Sequence, residues 1–512
     1  MSDTQRVSRV AATGSDVHVK GLSSGSVGLL GSMTLGVSSV APAYTLTATL
    51  GIIVAAVGLK MPAIFIAGFI PMFLTAYGYR ELNRRIPDCG TSFTWATKAF
   101  GPSVGWLCGW GAVVATVIVL SNLAGVAVTF FYLFLARLTG VESIAELASN
   151  TAVNIATCIA FIGVATFIAY RGITTTERVQ SVLVAFQMLV LAGFVVAAIV
   201  ASFSAPTGIA FEWSWFNPFT DLTLTAFIAG VVGSIFAFWG WDTCLTVNEE
   251  SKDADKMPGR AALLTVLTIL ATYLLVAIAA MMYAGIGTRG IGLGNEETSA
   301  DVFAALAEPV MGHWPSLLLF LAVLASSAAS LQTTFLPPAR SLLAMGEYQA
   351  IPQRFARIHP RFLIPSYATL TCGIGTAVFY AVMMLLSERV LTDTILSLGI
   401  MICFYYGLTA FACVWYFRHE LFTSAFNVVF KLVFPLLGGT MLGVVFVISL
   451  IDSYDPANGS GAQIGGVGLV FILGLGLLLL GAVLMLVWRV RHPAFFTGQT
   501  LRHDTPTLVV PG

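Results

Sequence analysis

Charge is what this 512-residue sequence has least of. Only 10% of its residues are Asp, Glu, Lys or Arg, with 25 bases against 25 acids. A soluble globular protein carries about 25%. So few charges cannot cover a water-facing surface of this size, which excludes a soluble enzyme and a disordered scaffold. No basic domain exists to neutralise phosphates, so nucleic acid is not an expected partner. Cysteine is also sparse. The seven are scattered, mostly inside apolar runs, and form no C-x-x-C pair. They read as small buried hydrophobes rather than a disulfide framework or zinc site. The six histidines fall in loops or tails, which leaves no cluster to hold a catalytic metal in a core. Residues 1–20 lack the apolar stretch of a secretory signal and read as a polar tail; so do 493–512, with three prolines.

What the chain has instead is apolar length. Hydrophobic residues make up 57%, and the mean hydropathy is +0.88. A helix needs about 20 apolar residues to cross a bilayer. Twelve runs qualify, at about 27–57, 62–83, 104–136, 151–170, 179–202, 222–247, 261–287, 315–344, 366–386, 392–417, 426–451 and 464–489. They are too long, and too free of two-residue alternation, for barrel strands. Basic residues test the count independently. With the N-terminus in the cytoplasm, 21 of the 25 Lys and Arg fall in segments expected inside. Only Lys60, Arg137, Arg289 and Arg389 fall outside. A multi-pass protein of the plasma (inner) membrane with both termini cytoplasmic is the expectation. The segment 288–314, with Glu296, Glu297, Asp301 and Glu308, reads as an extracellular cap.

Two spans carry interruptions. Span 1 contains Leu35 to Pro42, with Gly36, the pair Ser38-Ser39, and a proline that cannot donate an amide hydrogen. Span 6 contains Phe236 to Thr243 with Gly240, preceded by Gly230 and Gly233. Asp242 lies well inside that span, where insertion scales charge an acid about 2.5–3.5 kcal/mol. Ordinary kinks and packing glycines would account for either break alone. Their spacing of five spans is what two inverted five-helix repeats require. Unwound segments at mid-depth expose amides that attract a carboxylate and carbonyls that accept from an ammonium. A zwitterionic amino acid presents both groups.

These segments resemble the amino acid–polyamine–organocation (APC) permeases. Gly36-Val37-Ser38-Ser39-Val40 is similar to that family's span 1 break. Tyr79, Glu81, Leu82, Pro87, Gly90 and Phe93, then Phe100-Gly101 and Gly109-Trp110, are similar to its span 2–3 motif. Phe236 to Asp242, followed by Glu249-Glu250, Lys252, Pro258 and Arg260, is similar to its span 6 motif. The resemblance implies an all-α, LeuT-like fold of twelve helices: two inverted five-helix repeats plus two peripheral helices, with helices 1 and 6 unwound. The implied divisions are a cytoplasmic tail (1–24), a first repeat (25–202), an extracellular loop (203–221), a second repeat (222–417), peripheral helices (418–490) and a cytoplasmic tail (491–512). It implies alternating access and no cofactor. The substrate carboxylate would meet Val37, Ser38 and Ser39. The ammonium would meet carbonyls of Phe236, Ala237 and Trp239, with Phe236 as an aromatic gate. Val37 and Ser39 stand where the family has glycines, which narrows the site or retunes it.

Coupling stays open at this point. Many family members carry a span 5 lysine where sodium sits in sodium-driven relatives; Gln187 is the matching position here. Ser326 and Ser327 of span 8 either supply oxygens to Na⁺ or are small helix-packing residues. Asp242 has three readings: partner of a substrate amine, proton carrier, or cap of the second half of span 6. Glu249 and Glu250 are read as an inner gate with Lys252 and Arg260, paired to Arg84 or Arg85. Trp110, Tyr405 and Tyr406 line the cavity or pack helices, and singly favour packing. The expected function is secondary active transport of an amino acid, as an H⁺ or Na⁺ symporter or an exchanger. A polyamine or other organic-amine permease and a non-transporting nutrient sensor are the alternatives. A channel wants a continuous pore, and a membrane enzyme wants a catalytic His, paired carboxylates or a sizeable soluble loop; neither fits. The partners are a small amino acid or amine and bilayer lipid.

Overall fold

The structure, a computed structural model, describes residues 22, 25, 27–172, 176–299, 301–386 and 389–506, with the side chains of 176–178 and 390 left aside. The expected polar tail at 1–20, with Arg6, Arg9 and Lys20, lies outside the described residues.

Among the described residues, ten helical stretches are long and apolar enough to cross a membrane. The first, Leu29–Arg85, has 57 residues. That is about 85 Å at helical rise, nearly three hydrocarbon thicknesses. Breaks divide it into Leu29–Val40, Pro42–Val57 and Met61–Arg85, which we label spans 1a, 1b and 2. Span 6 misses the length criterion because it is split into Leu224–Ala237 and Thr243–Thr246. The others are span 3 (Pro102–Thr139), span 4 (Thr151–Arg171), span 5 (Thr176–Ser202), span 7 (Met257–Ala284), span 8 (His313–Thr333 and Leu336–Glu347), span 9 (Ser366–Leu386), span 10 (Val390–Tyr416), span 11 (Ala425–Asp452) and span 12 (Leu469–Arg491).

The packing repeats at an interval of five. Span 1b packs on span 6, span 2 on span 7, span 3 on span 8, and span 4 on span 9. Short helices sit at matching places, Ser92–Phe100 after span 2 and Val302–Met311 after span 7. These two helices were not anticipated, being amphipathic and too short to span. Span 8 was expected whole. It breaks at Thr334-Phe335 because Pro337 and Pro338 follow, and a proline restricts the residues before it. Span 12 was expected from 464. Instead Gln463-Ile464 pairs with Val467-Gly468 in a small hairpin, and the helix starts at Leu469. All seven cysteines are buried.

The stretch 493–506 is not the free polar tail its composition suggested. Phe495 and Leu501 are fully buried, Phe495 stacks on Phe93, and the Thr500 hydroxyl donates to the Tyr348 carbonyl at 2.6 Å. Lys98 Nζ donates to the Thr505 carbonyl. Two aromatic rings and a leucine outweigh the prolines, and the segment straps the helix Ser92–Phe100 to the end of span 8.

Both expected breaks occur. In span 1 the break falls at Ala41, with φ 54° and ψ 67°. Pro42 forces it by disfavouring helical geometry in the residue before it. A left-handed alanine costs about 1–3 kcal/mol and persists only where its surroundings impose it. In span 6 the helix ends after Ala237, and Gly240 turns the chain at φ +105°. A Cβ on Gly240 would lie 3.1 Å from the Ser39 carbonyl carbon and the Val40 nitrogen, so the two breaks touch backbone to backbone.

Opposite outcomes are therefore expected at these positions. Ala41→Gly relieves the left-handed strain and raises stability by about 1 kcal/mol. Gly240→Ala adds strain and a backbone clash and lowers it by at least that much. Thermal unfolding of the two variants in detergent reads both, and a Gly240→Ala protein as stable as the wild type would refute the close contact.

Candidate functional site

The site is built where spans 1 and 6 stop being helices. Span 1a stays helical through Val37, Ser38 and Ser39, and Ala41 N donates to the Val37 carbonyl at 3.0 Å. The unwound point is therefore three or four residues beyond the expected one. At the break the Val40 carbonyl accepts from the Thr45 hydroxyl at 2.6 Å and the Ala41 carbonyl from Thr45 N at 2.8 Å, while Pro42 has no N–H to donate. The sequence signal for this was Pro42 itself, which outweighs the glycine and serines before it. Span 1b begins there with amides that have no helical acceptor, and its Tyr44 N–H reaches the Ser326 hydroxyl at 3.4 Å.

Ser38 and Ser39 lie in the site as supports. The Ser38 hydroxyl donates to Gln180 Oε1 at 2.6 Å. Gln180 Nε2 in turn donates to the Ala329 carbonyl of span 8 at 3.1 Å. Ser39 joins both breaks to span 8: its hydroxyl accepts from Thr243 at 2.8 Å, and its carbonyl accepts from Ser330 at 2.8 Å. Val37 is buried behind them.

These contacts place the candidate coupling residues relative to the break. The span 5 glutamine facing the break is Gln180. Gln187 is two helical turns away, about 10 Å, and its buried amide has no hydrogen bond among the described residues. The span 8 hydroxyls that meet Ser39 are Ser330 and Thr334, one and two turns beyond Ser326, whose own hydroxyl is reached by Tyr44 N. The register was illegible because apolar spans carry equivalent polar residues every turn. A sodium ion needs oxygens free to turn toward it. Here the Gln180 amide donates into the junction, and the hydroxyls of Ser39, Ser330 and Thr334 are bonded among themselves.

On span 6, Phe236, Ala237, Trp239 and Asp242 come together as expected, all buried. The Phe236 carbonyl accepts from Trp239 N at 2.9 Å, and the Ala237 carbonyl from the Tyr273 hydroxyl at 2.7 Å. Each keeps a second lone pair. Trp239 Nε1 donates to the Tyr405 hydroxyl at 2.5 Å, and the Tyr406 hydroxyl donates to Asp242 Oδ1 at 2.7 Å. Tyr405 and Tyr406 of span 10 are thus site residues, although singly they read as packing. Trp110 is elsewhere, donating to the Leu477 carbonyl of span 12. Asp242 does occupy the N-cap position of Thr243–Thr246, but its side chain makes no capping bond. Its carboxylate points to the tyrosine instead.

The two ends of the bundle differ. At the end bearing both described termini, Glu250 pairs with Arg340 through two oxygens at 2.8 and 3.0 Å, each side chain 2% exposed. The expected partners Arg84 and Arg85 are not there; Arg84 turns to Glu81. Glu249 accepts from Cys89 N at 2.8 Å, and Asn248 donates to Asn83 at 2.7 Å. Val27 bonds the backbone of Glu250 and Lys252 on either side. Burial pushes the Glu250 carboxyl up, against the pull of the Arg340 guanidinium. The pair joins span 6 to span 8 across the axis of the breaks. At the other end a cavity of about 370 Å³ opens between spans 1b, 6, 10 and 11. Its walls include Ile52, Ile228, Val232, Leu396 and Ile400. Val232 is one turn, about 6 Å, from Phe236. The aromatic thus lies just under the cavity floor.

A bundle of membrane helices with two facing breaks, closed by an ion pair at one end and hollow at the other, defines a broken-helix transporter. Its backbone is similar to a solved structure of MhsT in complex with L-phenylalanine, with a TM-score of 0.61, 13% identity, and coverage of 82% of this chain and 97% of that one. The amino acid permease family model matches residues 27–487, and the chain belongs to that family, within the APC superfamily. Its relatives include an uncharacterized transporter of Mycobacterium tuberculosis, 27% identical over 60% of this chain. The match spans 63% of that relative, under two thirds of its length. The low-affinity putrescine importer PlaP of Escherichia coli is 23% identical, over 79% of this chain and 84% of its own. Cationic amino acid transporter 3 of Arabidopsis thaliana is 24% identical over 61% and 50%. The family and these relatives are permeases and transporters.

Removing one member of a buried ion pair strands the other and costs about 3–5 kcal/mol. Glu250→Gln and Arg340→Met should each lower thermal stability steeply. The double substitution should recover most of the loss. Additive losses would show that the two side chains are not coupled.

Proposed function

We propose that this chain is a secondary active transporter of a small amine-bearing solute, with an amino acid as the first reading. The observation that carries it is the facing pair of breaks, buried beneath a cavity at one end and sealed by Glu250–Arg340 at the other. Twelve passes, with span 6 counted across its break, fit this reading, as does a plasma-membrane location with the sealed end cytoplasmic. A solute enters from the cavity, passes Phe236, and lies between the Val40–Ala43 and Phe236–Asp242 segments. Amides at the start of span 1b receive its carboxylate, while the second lone pairs of the Phe236 and Ala237 carbonyls receive its ammonium. Opening the inner end requires breaking Glu250–Arg340 while Phe236 closes over the solute, which is alternating access in this geometry. We place no sodium step in this cycle, and propose proton-linked transport or exchange.

One observation favours a cationic substrate as a second reading. Asp242 is a buried acid beside the breaks, and its carboxylate accepts from the neutral Tyr406 hydroxyl. A second amine would supply its counter-charge. The putrescine importer and the cationic amino acid transporter among the relatives fit this reading.

Uptake into proteoliposomes tests both. Labelled amino acids and diamines should accumulate, or exchange in counterflow, equally in Na⁺ and in choline. Asp242→Asn should preserve folding, reduce uptake of cationic substrates at least about tenfold, as the loss of one charged contact predicts, and flatten its pH dependence. Binding without counterflow would instead make the protein a sensor. Sodium-dependent uptake would overturn the assignment of the Gln180 junction.

A further inference from the structure

A second cavity lies far from the breaks, at the terminus-bearing end, where spans 2, 10 and 11 meet. Its volume is about 330 Å³, and its lining includes Arg84, Arg85, Lys431, Glu81 and Glu420. The local charge does not balance. Arg80 and Arg84 share one carboxylate, Glu81, at 3.3 and 3.4 Å. Lys431 is paired to Glu420 at 3.3 Å and lies 4.2 Å from the Phe417 ring centre. Arg85 makes no ion pair among the described residues, so the cavity holds excess positive charge.

Its position gives that charge a meaning. The cavity opens beside span 11, a peripheral helix with Phe426, Leu436 and Leu437 exposed. Below Lys431 an aromatic ladder runs along this face: Phe426 to Phe430 at 4.7 Å, Phe430 to Phe434 at 5.2 Å, and Tyr77 against Phe430 at 4.8 Å. The helix is also widened here. Val428–Val433 forms a π-turn just before Pro435. Pro435 lacks an N–H, and its ring crowds the carbonyl four residues back, which is that of Lys431. The widened turn carries Lys431 at the mouth of the cavity. A cationic pocket beside a half-buried aromatic face matches an anionic headgroup with its acyl chains.

We propose that this cavity binds the phosphate of an anionic phospholipid, with Arg85 and Lys431 as its principal contacts and the Tyr77–Phe430–Phe434 face holding an acyl chain. The site ties peripheral span 11 to spans 2 and 10, and it is independent of the transported solute.

The full chain in neutral detergent tests this, with phosphatidylglycerol or phosphatidylcholine added. Native mass spectrometry should show phosphatidylglycerol retained in preference, and that lipid should raise the melting temperature more than phosphatidylcholine does. Arg85→Gln breaks no described ion pair and should weaken retention about fivefold; adding Lys431→Gln should bring the loss to about 30-fold. Equal retention of the two lipids overturns the proposal, as does a preference that survives both substitutions. If inorganic phosphate gives the same thermal shift and competes the lipid away, the pocket serves a soluble phosphate and the lipid assignment falls.

Discussion

Inside a hydrocarbon layer every peptide group must find its partner within the protein, and this constraint governs the molecule. A helix satisfies it residue by residue. Two spans break it at the same depth, and the structure resolves the conflict by placing the broken segments against each other. Gly240 rests on the backbone of Ser39 and Val40. Thr243, Ser39, Ser330 and Thr334 close a hydroxyl chain around the junction. Span 8 and, through Gln180, span 5 complete it. The junction holds four spans in register, and whatever disturbs it is felt by all of them.

The same arrangement links site and gates. Span 6 carries Phe236 on one side of its break and Glu250 beyond the other, so a shift in the short piece Thr243–Thr246 moves the Glu250–Arg340 pair. Asp242 lies at the pivot, held by Tyr406 of span 10. The aromatic cluster of Tyr79, Trp241 and Tyr406, with ring centres 5.1–5.4 Å apart, packs span 2 against this pivot. An acid surrounded by large rings has few alternatives to its tyrosine other than an incoming cation.

Much of this was legible in the sequence, for identifiable reasons. Apolar length placed the spans to within a few residues, because hydrocarbon thickness sets helix length. The break in span 6 was legible because glycine, aromatic and acid together are unusual in a membrane helix. The break in span 1 falls inside the expected stretch Leu35 to Pro42, at its far end, because Pro42 acts on the residue before it. Gln180, Ser330 and Thr334 were missed. Which polar residue of a helix faces its neighbour depends on rotation, and Gln187, Ser326 and Ser327 look equivalent until the packing is known. The Glu250–Arg340 pair joins residues 90 apart, a pairing no local pattern shows.

The five-span interval of the packing carries a consequence for how such a chain is inserted. A half with an odd number of crossings starts and ends on different sides, so two copies of one half can pack this way only when they enter the bilayer in contrary senses. Their loops must then be charged differently at equivalent places. The end of span 2 and the segment after it carry Arg80, Arg84, Arg85 and Lys98 against Glu81 and Asp88; the segment after span 7 carries Arg289 against Glu296, Glu297, Asp301 and Glu308. The two halves share a packing pattern but differ in the charge of their loops.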